Sequence, residues 1–163
     1  MADIAEYMKA LAERTGWSGL SAPDNAGVRR VALEDDLDAA FFALGDRWCI
    51  MHGVVTELPA SAAESEALCA TAAAKVVAAI RERPSILALE EPGPSPVPGE
   101  IDLTSARLVC FRSVPMNTDT TTLVSEVQAW LNDFAWWKNV LGETQAQGMG
   151  SGFSEGMFPG LRI

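Results

Sequence analysis

Residues 123–141 read LVSEVQAWLNDFAWWKNVL, and in them Leu123, Val127, Trp130, Phe134, Trp137 and Leu141 recur at steps of 4, 3, 4, 3 and 4. Such steps put all six side chains on one side of an α-helix. That side carries large apolar groups, so the helix has to bury it against a sheet or another helix. Thr118 or Asp119 is placed to cap the start, and Gly142 to stop the end.

The elements that could receive this helix lie upstream. Residues 106–114, ARLVCFRSV, read as a strand closed by Pro115. Three more strands are expected over residues 28–57: Val28–Leu33, a run from Leu37 to Leu44, and Arg47–Leu58, which Pro59 ends. In the last of these Trp48, Ile50, His52 and Val54 share one face, and Cys49, Met51, Gly53 and Val55 the other. Both faces are apolar enough to need covering by helices or by a subunit. Glu34, Asp35 and Asp36 form an acidic turn, and Gly45-Asp46 marks the next one.

Ser61 with Glu64 three residues later has the form of a capping box, opening an Ala-rich helix over about residues 62–82. Its small residues allow close approach, either to the sheet or to the same helix across a two-fold axis. Pro84 breaks it, and Ile86–Leu89 is a short strand. The stretch PGPSPVPG at 92–99 holds four prolines and cannot enter a central strand. Near the start, Ile4, Tyr7, Met8 and Leu11 give an amphipathic helix over 3–15, with Asp3 as cap and Gly16 as stop; a loop follows at Ser18–Asn25. The expected class is α+β: helix, three strands, helix, two or three strands, helix, with a twisted, mostly antiparallel sheet covered by helices. Residues 1–142 form the domain, and 143–163 a Gly-rich flexible tail.

The chain has 163 residues, 48% of them hydrophobic, which suits one folded domain with its own core. Its 12 basic and 22 acidic residues leave a net charge of −10. That field repels phosphate backbones and anionic membrane surfaces. It also favours solubility, which suits a protein carrying exposed apolar surface. MADIAEYMKALAERTG lacks the apolar core of a signal peptide, and no apolar run reaches the roughly 20 residues that span a bilayer. A cytoplasmic location is expected, with neither nucleic acid nor membrane insertion.

Chemistry leaves few marks. Cys49, Cys69 and Cys110 sit among mostly apolar neighbours, as buried reduced thiols do. There is no Cys-x-x-Cys, and His52 is the only histidine, which argues against zinc. GMGSG lacks the Gly-Lys-Ser/Thr ending of a phosphate loop and precedes no helix. The acids at 34–38 lack calcium-loop spacing. A dyad of Cys49 with His52 would need a bulge, because residues three apart on a strand point to opposite faces. No catalytic, cofactor-binding or metal residue is assigned, and no enzymatic activity is expected.

The last helix also carries a resemblance. WLNDFAWWKNVL at 130–141 resembles the closing pattern of the class I type III secretion chaperones, the Tir chaperone family: an aromatic, Leu-Asn, a short gap, two aromatics, a basic residue and a terminal Leu. Here these are Trp130, Leu131, Asn132, Trp136, Trp137, Lys138 and Leu141. LGDRWCIMHGVVTELP looks like the family's third strand leading into its central helix. The likeness spans about residues 3–142 and includes the order of elements.

The resemblance implies a homodimer that binds the N-terminal segments of secreted effector proteins. It would keep them soluble and pass them to the secretion ATPase without hydrolysing ATP. The family's binding grooves map to Ile4, Tyr7, Met8, Leu11, Val28, Val31, Leu33 and Phe41. Its dimer interface maps to Leu68, Ala72, Val76, Ile80, Ile86 and Leu89. The proline-rich loop and the tail depart from the family pattern. Two alternatives stay open: a regulatory adaptor on the same architecture binding a folded regulator, and a small enzyme using Cys49 or His52.

Overall fold

A computed structural model describes residues 4–17, 20–33, 37–90 and 106–150, with side chains to residue 143. The order is α1 (Ile4–Thr15), β1 (Arg29–Leu33), β2 (Leu37–Leu44), β3 (Trp48–Glu57), α2 (Ala62–Ala79), β4 (Ile86–Glu90), β5 (Arg107–Pro115) and α3 (Thr120–Gly150). The class is α+β, with three helices and one five-stranded sheet in the order β1-β2-β3-β5-β4, every pair antiparallel. Among the described residues, two strands follow α2.

Local chemistry accounts for the boundaries. Gly16 stops α1 with a φ of 74°, a left-handed conformation that favours glycine. Gly45 turns β2 into β3 with a φ of 62°. Of the two cap candidates for α3, Asp119 serves: its Oδ1 accepts the N–H groups of Thr121 and Thr122, and its Oδ2 accepts the Thr122 hydroxyl. These bonds, the Thr122 hydroxyl first, hold the Asp119 carboxyl below its usual range.

Two expectations are corrected. Ser61 precedes α2 as N-cap, but its side chain makes no capping bond, and the helix ends at Ala79. Gly142 does not stop the last helix: α3 continues to Gly150, so the segment 143–150 is helical, not a loose tail. A glycine stop needs a positive φ, and Gly142 does not have one. Among the described residues, helices cover one face of the sheet. The acidic turn 34–36, the proline-rich 92–99 and residues 151–163 lie outside the described residues.

The core explains the one-sided cover. Val31, Phe41, Cys49, Met51, Cys110 and Val114 alternate onto one sheet face. They are buried in one cluster with Tyr7, Met8 and Leu11 of α1, Leu68 and Ala72 of α2, and all six periodic residues of α3. Gly53 sits beneath α3, where an added Cβ would come within 2.4–2.8 Å of the Phe134 ring. Glycine is what lets the two aromatics of α3 lie flat here: Trp130 and Phe134 stack at 5.4 Å. The indole Nε1 of Trp130 donates to the Cys110 carbonyl at 3.3 Å.

Candidate protein-binding surface

The second sheet face has no helix on it among the described residues. Register places Phe42, Ile50, His52, Phe111 and Ile86 there, with Leu44 opposite Trp48 at the β2–β3 turn. None of these belongs to the core cluster. Leu44 is 60% exposed, Trp48 41% and Ile86 53%, whereas Ala40, Ile50 and Val109 in the middle of the face are buried and Phe42, His52, Val54 and Phe111 half-buried. A sheet face this apolar normally lies against another layer.

A β-bulge after Val54 adds one residue to β3, so that Glu57 falls opposite Arg107. The Arg107 Nε donates to Glu90, across the β4–β5 pair. His52 Nε2 lies 3.3 Å from Glu90 Oε1. That is close enough to pair when the imidazole is protonated, but it is not aligned as a hydrogen bond. The Phe42 ring tilts against the imidazole at 6.4 Å.

A second apolar surface lies at the β4 margin. On α2, Val77 is 77% exposed, and Ile80 just past the helix end is also exposed. Ala67, Ala70, Ala74 and Val77, spaced 3, 4 and 3, are all exposed and share one helix side. Ile86 and Leu89 of edge strand β4 are exposed as well. The opposite edge is partly covered, because Leu20 bridges Val31 and the Ser21 N–H donates to the Arg30 carbonyl.

A buried polar cluster ties the β4 margin to α3. Asp133 accepts the Ser85 hydroxyl at 2.6 Å, the Ser85 N–H at 3.3 Å and Arg83 Nη1 at 3.2 Å. The Arg83 guanidinium also covers the Trp136 ring at 4.5 Å. On the other side of the molecule, the Tyr7 hydroxyl shares its proton between the carbonyls of Thr118, at 3.0 Å, and Pro115, at 3.2 Å, fixing α1 to the β5–α3 corner.

The positions expected to bind effectors are divided by this geometry. Tyr7, Met8, Leu11, Val31 and Phe41 are buried in the core of their own chain, while Ile4, Val28 and Leu33 are partly exposed. The family resemblance maps its grooves to the apolar positions of the first helix and early strands, and core residues carry the same apolar signature. The expected dimer residues divide as well. Leu68 and Ala72 are core, Val76 is half-buried, and Ile80, Ile86 and Leu89 are exposed.

Sequence reasoning recognised the alternation that puts Trp48, Ile50, His52 and Val54 on one face, but not that no described helix lies on that face. It missed Leu44 and Phe111 as parts of that surface, and the cluster in which Arg83 and Ser85 meet Asp133, 50 and 48 residues away.

Cys49 and His52 stand on opposite faces of β3, paired with Val114 and Phe111 respectively. Burial pushes the Cys49 thiol up to about 11. Burial likewise pushes Cys110 to about 12. Both thiols are therefore protonated at neutral pH and poor nucleophiles. No group of His, Cys, Asp and Glu able to hold a metal ion occurs among the described residues. No described helix is long and apolar enough to cross a membrane.

No family model and no curated protein sequence matches the chain. Among solved structures, an uncharacterized protein from Methanothermobacter thermautotrophicus is similar, with a TM-score of 0.54 and 14% identity. The match covers 85% of this chain and 96% of that one. At that identity the likeness concerns the fold alone.

Proposed function

We propose that the protein is a holding chaperone of the type III secretion kind, a homodimer in the cytoplasm. It binds N-terminal segments of secreted effector proteins, keeps them soluble and presents them to the secretion ATPase. The observation that carries this reading is an apolar sheet face that no described helix covers, with Leu44, Trp48 and Ile86 exposed on it, on a chain of net charge −10. Apolar surface of this kind marks an interaction site, and strong charge keeps it from self-aggregating. The closing pattern of α3 and the order of elements support the same reading.

The dimer is assigned to the β4 margin. The exposed small residues of α2 let two copies of the helix approach closely, and Val77, Ile80, Ile86 and Leu89 supply the apolar area around them. This arrangement leaves the open sheet face free for cargo. Co-expression with secreted proteins of the same organism, followed by mass measurement of any complex, tests the proposal. A complex of two copies with one otherwise insoluble N-terminal region is expected. A monomer without effect on any such region rejects it.

A further inference from the structure

Three neighbouring strands bring four ionisable side chains together on the second sheet face. Register sets Arg107 of β5 between Glu57 of β3 and Glu90 of β4. The Arg107 Nε donates to Glu90 Oε2. The other oxygen of that carboxylate, Oε1, lies 3.3 Å from His52 Nε2 on β3. His52 is opposite Phe111 and Glu90 opposite Arg107, so Val109 stands between them on β5. The Glu90 carboxylate therefore reaches from the edge strand across β5, past Val109, to β3. Val109 is only 4% exposed, although no described helix lies on this face.

Two features make the contact with His52 depend on a proton. The imidazole side chain is 17% exposed, and its Nε2 is buried without a hydrogen bond. A contact that is not aligned as a hydrogen bond is held by charge, and an imidazole is charged only when protonated. The charge count points the same way. Glu57 and Glu90 are two carboxylates beside one guanidinium, so a second cation balances the group. The other charged side chains of this face belong to β1 and β2. Arg30 is opposite Ala40, which pairs with His52, and Asp38 is two residues before Ala40; both are exposed and of opposite sign.

We infer that His52 is a proton-operated latch on edge strand β4, fastened when the imidazole is protonated and released when it is neutral. The fastened state ties β4 to β3, beyond the backbone pairing of β4 with β5. The ion pair exists only in the folded chain, so the stability it adds is present at acid pH and is lost as pH rises through the imidazole titration. Ile86 and Leu89 are on β4, so the latch sets how firmly the margin proposed for the dimer is held. The latch itself does not need the dimer and is read on β4 alone.

His52 is the only histidine, so the imidazole signals in nitrogen-edited NMR belong to it. The full chain is titrated from about pH 5 to 8, the range in which histidine changes charge, while amide exchange is followed in β4 and, as reference, in β2. Protection of β4 relative to β2, corrected for intrinsic exchange, is expected to fall about two- to fivefold, the size of a partly exposed ion pair. It should fall with the midpoint of the imidazole signals. In His52→Gln and in Glu90→Gln the fall should disappear. Glu90→Gln should also move the imidazole midpoint to lower pH, because an anion is removed. Arg107→Gln should move it to higher pH, because a competing cation is removed. A midpoint that neither variant moves, or a β4 protection that falls as much in His52→Gln, overturns the inference. If a variant does not fold, the unmodified chain decides: β4 protection that does not follow the imidazole titration overturns it as well. A latch that titrates as expected in a chain that stays monomeric and solubilises no secreted region stands, and the chaperone reading fails. A chaperone whose β4 is indifferent to pH leaves that reading intact and removes the latch.

Discussion

The two faces of the sheet are built from the same kinds of residue and have opposite fates. The covered face holds Phe41, Met51 and Cys110 beneath Trp130 and Phe134. The open face holds Phe42, Ile50 and Phe111, with His52 among them and charged groups at one end. Hydrophobicity does not separate them. What separates them is the small residue that lets a helix approach: Gly53 lies under Phe134, and the open face presents His52 at the neighbouring position on β3. Apolar area is buried against the helices on one side, while on the other Leu44, Trp48 and Ile86 stay exposed around the buried Ile50 and Val109.

The contrast is sharpest for tryptophan. Trp130→Ala on the covered side is expected to cost about 3–5 kcal/mol in urea denaturation. Trp48→Ala on the open side should cost about 1 kcal/mol or less, since half-exposed surface positions contribute little. Equal losses would break the distinction between the faces. Gly53→Ala comes next, at about 1–3 kcal/mol, because its Cβ would come within 2.4–2.8 Å of the Phe134 ring atoms. Restoration by Phe134→Leu in the same chain would locate the clash.

The β4 margin gives a similar range. Asp133→Ala leaves the Ser85 hydroxyl and Arg83 without their acceptor and should cost about 1.5–3 kcal/mol. Ser85→Ala should cost less. Alkylation at pH 8 should modify Cys69 in the folded chain before Cys49 and Cys110, whose thiols burial keeps protonated. Mass spectrometry of the peptides reads the order, and rapid labelling of Cys110 would contradict its place under α3.

The smallest effect is expected at the α3 cap. The Asp119 carboxyl is held low in the folded chain, so its stabilisation is present above the unfolded carboxylate pKa. It is lost as pH falls through the lower folded value. Asp119→Asn should flatten that part of the stability profile while keeping a capping oxygen.

Much of the fold was legible in one dimension. The six periodic residues of α3 are the six that its buried side presents. The alternation in β3 assigned every side chain from Trp48 to Val54 to its face, and separated Cys49 from His52. These readings work because helix and strand periods are local properties of the backbone. The candidate site was less legible. Met8, Leu11, Val31 and Phe41 carry the apolar periodicity of both a groove and a core, and only packing tells the two apart. Gly142 looked like a stop, but a helix tolerates one glycine at a cost of about 1 kcal/mol when its neighbours favour helix.

By itself the sequence determined the element types, the order of helices and strands, the side each residue takes and the acidic field. Tertiary structure alone decided that all three helices gather on one face, that β4 forms an edge, and that Asp133 meets Ser85 across 48 residues. Those outcomes depend on contacts between distant segments, which no local period encodes. The second sheet face, on which no described helix lies, is one of them: each residue's side could be read in advance, but which of them stay exposed followed from where the helices went.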